Sequence, residues 1–151
     1  MSRNVFIAIA AAIVGALIVV FYNILVPPLV PPTKPLQACS KPKCDVSITV
    51  YNNDCSISTN ILAAPDRAPI ARGNQNPNIE WTIATDGFTF PANGIDFGGD
   101  SQFTNGNRQG PTKFRWMDKN SDDQYHKYTV NLLRPDGTAC PPLDPGVING
   151  Q

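Results

Sequence analysis

Residues 5–26 read VFIAIAAAIVGALIVVFYNILV, and Asn23 is their one strongly polar side chain. As an α-helix these 22 residues would extend roughly 33 Å, against about 30 Å for the hydrocarbon core of a bilayer. A chain carrying such a run is expected to hold it in lipid and to fold the remainder outside. A cleaved signal peptide is the competing reading. It calls for a shorter apolar region of about 7–15 residues that ends at small residues, whereas this run ends in FYNILVPP. Leu36-Gln37-Ala38-Cys39 loosely resembles a lipid-attachment motif. Gln37 is atypical there, however, and prolines separate Cys39 from the apolar run. The expectation is an uncleaved anchor over residues 1–26.

Within the anchor, Ala8, Ala11, Ala12 and Gly15 recur three or four residues apart. Small residues at helical spacing let a second membrane helix approach closely, so they are candidate helix-packing positions, although alanine is also common in any membrane helix.

Six of the chain's 15 prolines follow directly, at positions 27, 28, 31, 32, 35 and 42. Proline fixes φ and removes a backbone donor, so residues 27–43 are expected to form an extended spacer and neither helix nor central strand. At about 3.1 Å per residue the spacer would reach on the order of 50 Å.

All four cysteines lie beyond the anchor: Cys39, Cys44, Cys55 and Cys140. An even set is expected to be oxidised outside the cytoplasm, which orients the chain better than the few flanking charges do. Three pairings are possible; Cys39–Cys44 as a local loop with Cys55–Cys140 as a long staple is the favoured one. The expected orientation places the N-terminus in the cytoplasm and the domain on the oxidising side of the membrane.

From position 44 the texture becomes short alternating segments between turn signals. Val46, Ile48 and Val50 alternate with polar neighbours, as do Ile79, Trp81 and Ile83. Phe88-Thr89-Phe90, Phe114-Arg115-Trp116 and residues 125–133 (YHKYTVNLL) read as further strands, the last as the longest. Turns are expected at Asp86-Gly87, Asn93-Gly94, Asn105-Gly106 and Asp136-Gly137. The expected fold over residues 44–151 is an all-β antiparallel sandwich of about 7–8 strands. Its bulky core is assigned to Trp81, Phe88, Phe90, Phe97, Phe114 and Trp116.

The order Ile79-Glu80-Trp81-Thr82-Ile83, Gly87-Phe88-Thr89-Phe90, Gly94-Ile95-Asp96-Phe97, Asp118-Lys119-Asn120, Tyr125-His126-Lys127-Tyr128-Thr129-Val130-Asn131 and Pro142-Leu143-Asp144-Pro145-Gly146-Val147-Ile148-Asn149 resembles a group of small bacterial envelope β-sandwich proteins, broadly cupredoxin-like, over residues ~45–149. The resemblance implies a fold and a bacterial envelope setting, hence an inner-membrane anchor with the N-terminus cytoplasmic and the domain periplasmic, and no activity.

Ligand chemistry is sparse. A blue-copper centre needs two His, a Cys and usually an axial Met; the chain has one His, His126, and Met117 is its one Met beyond Met1. No G-x-S-x-G elbow accompanies that histidine. His126 is expected at a surface or edge. Glu80, the lone glutamate, is expected on the solvent side of its strand. No cofactor is expected. Asp118, Asn120 and Asp122 fall at the first, third and fifth positions of a calcium-type loop, but the sixth and twelfth are Asp123 and Thr129 where an EF-hand has Gly and Glu. The segment DFGGD, positions 96–100, is similarly suggestive and similarly weak.

From Cys44 onward 8 Lys and Arg stand against 12 Asp and Glu, about −4, which argues against a nucleic-acid partner. Arg108, Lys113, Arg115 and Lys119 cluster locally as a candidate docking patch. The expected function is a non-catalytic, single-pass accessory subunit of a larger integral membrane protein complex, photosynthetic or respiratory, in the lipid bilayer. The alternative is a stand-alone anchored binding module for a small ligand, ion or envelope polymer, with an electron-transfer protein a distant third.

Overall fold

Residues that alternate apolar and polar cannot bury both faces as a lone strand, so the segments beyond position 43 pair into sheets. A computed structural model describes residues 37–151, which fall within one compact unit, Leu36–Gln151. The unit is mostly β. Its strands are β1 (Lys43–Val50), β2 (Ile61–Ala64), β3 (Arg67–Pro69), β4 (Asn78–Ile83), β5 (Ile95–Asp96), β6 (Phe103–Gly110), β7 (Lys113–Asp118), β8 (Tyr125–Lys127), β9 (Thr129–Val130) and β10 (Gly146–Ile148). Among the described residues helix is confined to two 3-10 turns, Tyr51–Asn53 and Ser58–Asn60, and no helix is long and apolar enough to cross a membrane. The anchor, its packing residues Ala8, Ala11, Ala12 and Gly15, and most of the spacer lie outside the described residues.

Five strands form the largest sheet, in the order β2-β1-β4-β7-β6; β3-β10-β8 and β5-β9 form two smaller ones. The antiparallel expectation fails at two pairs: β1 runs parallel to β4, and β10 parallel to β3. Parallel neighbours cannot be joined by a hairpin. The chain therefore leaves β1, makes β2 and β3 on the way, and returns as β4 on the far side of β1.

Two expected strands are altered. Residues 125–133 keep their alternation throughout, with His126, Tyr128, Val130 and Leu132 all buried. They change partner midway, however: β8 pairs with β10 and β9 with β5. Phe88-Thr89-Phe90 contributes only an isolated bridge between Thr89 and Leu133. The expected turn at Asn105-Gly106 is a bulge inside β6. Asn105 has φ 57° there, and the register with β7 slips between Thr104 and Asn107. Asn-Gly accommodates positive φ equally in a hairpin turn and in a bulge. The real reversal lies at Pro111 and Thr112, between β6 and β7. Gly106 is required for a second reason: a Cβ would sit 2.2 Å from the Trp116 indole.

The core is one contiguous cluster. Trp81, Phe88, Phe90, Phe97 and Phe114 are buried in it as expected, Trp116 packs partly buried against it, and Phe103 and Tyr128 join them. Phe97 stacks on Phe103 at 3.5 Å between ring centroids, and Trp81 meets Tyr128 edge-on at 5.2 Å. Both disulfides take the favoured pairing: Cys39–Cys44, 5 residues apart, and Cys55–Cys140, 85 apart. The first lies at the spacer's end. Cys39 already bridges to Ile70 in parallel sense, and its N–H donates to the Pro69 carbonyl at 2.7 Å.

Candidate functional site

Alternation along β4 puts Ile79, Trp81 and Ile83 in the core and Glu80 on the other face of the large sheet. Glu80 is nevertheless only 5 % exposed, contrary to the expected solvent-facing role. The cover comes from both neighbouring strands. Lys43 from β1 places Nζ 3.2 Å from Glu80 Oε1; from β7, Arg115 donates to Oε2 at 3.1 Å and Lys113 Nζ stands 3.5 Å from Oε1. Register explains the convergence, because Glu80 sits opposite Asp45 on one side and Arg115 on the other. The Arg115 hydrogen bond holds the Glu80 carboxyl below its ordinary range against the opposing effect of burial, and Lys43 adds to it. Lys43 is raised in turn, chiefly by Asp45, 2.9 Å away, and then by Glu80. Three cations thus surround one covered carboxylate, with Asp45 at the margin. One positive charge is left over, on side chains already held in place.

Of the expected docking patch, this arrangement brings together Lys113 and Arg115 and adds Lys43, which the spacing had not flagged. Arg108 does not join them. It pairs in register with Phe114, in the other phase of the sheet, and donates to the Phe90 carbonyl at 3.0 Å. Lys119 is exposed just beyond β7.

A second polar cluster lies at the end of β7. Asp118, Asn120 and Asp122, read above as a weak calcium loop, do come together, but protein donors take up every side-chain oxygen among them except Asp118 Oδ2. Asp118 Oδ1 accepts from the Asn120 N–H at 2.8 Å and from Asn149 Nδ2 at 3.3 Å, and Asn120 Oδ1 accepts from the Gly150 N–H at 3.2 Å. Asp122 Oδ2 accepts from Gln102 Nε2 at 2.7 Å. In DFGGD, Asp96 Oδ1 caps the Gly98 N–H at 2.8 Å and Asp100 Oδ1 the Gln102 N–H at 2.9 Å. Among the described residues no three His, Cys, Asp or Glu side chains are grouped to hold a metal ion.

His126 is the member that sequence reasoning misplaced. It is 8 % exposed, not at the surface. Its Nδ1 lies 2.6 Å from Asp100 Oδ2, its Nε2 lies 3.0 Å from Asp122 Oδ1, and its ring meets Phe103 in a T-shaped contact. The signal was available: His126 shares the phase of Tyr128, Val130 and Leu132. Asp118 and Asn149 are fully buried, and Asp118 Oδ2 and Asn149 Oδ1 find no hydrogen-bond partner among the described residues. Burial pushes the Asp118 carboxyl up.

No protein-family model matches the chain, and no curated protein matches it.

Proposed function

We propose that the chain is a non-catalytic accessory subunit, anchored by residues 5–26 as a single bacterial inner-membrane helix. Its β domain, read as a sandwich, docks from the periplasm on an acidic surface of a larger membrane complex. The observation that carries this reading is the Glu80 arrangement. Flexible lysines at an interface lose side-chain entropy when they pair. Here Glu80 and Asp45 already draw Lys43, Lys113 and Arg115 together on one sheet face, so a partner carboxylate meets donors that are partly ordered. The surplus charge sets the sign of the partner and speeds encounter more than it deepens affinity.

The test is co-purification in mild detergent. Lys43→Gln with Lys113→Gln leaves the Glu80–Arg115 bond in place. It should reduce recovery of the partner on the order of tenfold, about what 1.4 kcal/mol provides, and most clearly at low salt. Ala12→Leu with Gly15→Leu should act separately, by blocking close helix approach while leaving membrane insertion intact. A wild-type protein that runs alone under these conditions would favour the stand-alone binding module instead.

A further inference from the structure

A neutral imidazole has one N–H and an imidazolium has two. Both nitrogens of His126 face carboxylate oxygens within hydrogen-bond distance, so only the charged ring satisfies both contacts. Those carboxylates sit on different segments: Asp100 precedes β6, and Asp122 lies between β7 and β8. The second segment also ties down the chain's last described residues. Asn149 Nδ2 reaches Asp122 Oδ1 at 3.4 Å, the Asn149 N–H donates to the Gln124 carbonyl at 3.0 Å, and the Gly150 N–H bonds to Asn120. We propose that His126 is a proton-operated clasp, closed as an imidazolium bridging Asp100 and Asp122 and opened at one of the two contacts when the ring loses a proton.

The groups that face the ring are Asp100 from before β6, Asp118 at the end of β7, Asp122 from the β7–β8 connection, the Phe103 ring from β6, and Val147 opposite it on β10 with Asn149 just beyond. Among the described residues no lysine or arginine forms an ion pair with Asp100, Asp118 or Asp122; the nearby Arg72 pairs with Asp123 at 2.7 Å. The ring is therefore the cation this cluster has. Burial acts to lower the His126 pKa, but the hydrogen bonds the ring donates to Asp122 and Asp100 outweigh it and hold the ring above its ordinary 6.5. Asp122 is likewise desolvated, yet the His126 bond brings it below 3.8.

The signs then follow. A raised histidine stabilises fully below pH 6.5 and loses its contribution as pH climbs through the raised value. A lowered Asp122 contributes above pH 3.8 and loses its contribution as pH falls through the lowered value. The clasp is tightest between about pH 4 and 6.5 and loosens toward the alkaline side. Asp118 works in the same direction, because its raised pKa penalises the fold once the carboxyl ionises, and protonation would turn its partnerless Oδ2 into a donor.

With one histidine in the chain, the imidazole signals of the full-length protein in detergent micelles are assigned without ambiguity. A pH titration by NMR should give a midpoint above 6.5, with the amides of residues 100–102, 120–124 and 149–151 shifting at the same midpoint. Asp100→Asn and, separately, Asp122→Asn should each lower that midpoint by about one unit; either variant suffices if the other fails to fold. A wild-type midpoint at or below 6.5, amides that ignore the titration, or a midpoint unmoved by a folded variant would each overturn the clasp.

Discussion

Replacing Cys55 and Cys140 together by alanine is expected to destabilise the domain by about 4.5 kcal/mol, the loop-closure entropy of a ring of 85 residues. Replacing Cys39 and Cys44 opens a ring of only 5 residues and should cost about 2 kcal/mol on the same model. Single domains are stable by roughly 5–15 kcal/mol, so the first loss removes a large share and the second is tolerable. Cys55 is fully buried and Cys140 nearly so. Alanine there leaves a small void that adds to the entropic loss, whereas serine would also bury a hydroxyl. Urea melts of both double variants in an oxidising buffer decide the matter. Equal losses from the two bridges would mean that the long ring does not restrict the unfolded chain as supposed.

Trp81→Ala should be comparably severe, at about 3–5 kcal/mol. The indole is fully buried between Tyr128 and Phe97, with centroids 5.2 and 6.0 Å away. Nothing nearby can collapse into its volume without moving β4, the middle strand of the large sheet. Trp81→Phe makes the informative contrast. Trp81 Nε1 is buried with no hydrogen-bond partner among the described residues, so phenylalanine discards an unsatisfied donor along with part of the ring. Its cost should stay near 1 kcal/mol because a burial penalty disappears with the lost contacts. If the two variants melt alike, Trp81 is not the packing centre this geometry makes it.

What the sequence disclosed follows from how local each signal is. Val46, Ile48 and Val50 declared their strand because alternation needs no partner to be visible. Of the three possible cysteine pairings the favoured one formed, Cys39 and Cys44 being near enough in sequence to close a local loop. The burial of Glu80 was not legible. Its alternation phase is outward, and its cover arrives from Lys43 through a parallel pairing of distant segments that no local pattern encodes. His126 is the opposite case, since its phase pointed inward and its polarity misled; a buried polar residue keeps to its phase when partners such as Asp100 and Asp122 wait there. Asn105-Gly106 was misassigned because positive φ serves turns and bulges alike. The candidate calcium residues were correctly seen as neighbours. Their occupation by Asn149 and Gly150 depended on a segment about 30 positions away.

The short disulfide has a mechanical meaning. Any tension reaching the domain along the residues before Cys39 is shunted across the Cys39–Cys44 bond into β1, next to the start of that strand. β1 is gripped on both sides, by β4 over six register pairs from Lys43 to Ile48 and by β2 over four more. A pull along its axis loads those ladders in shear, so that many hydrogen bonds share the force at once, whereas a peeling pull would break them one at a time. The bond thus moves the point of attack off the single bridge between Cys39 and Ile70 and onto a strand held along both edges. Reduction would hand the same tension to that one bridge.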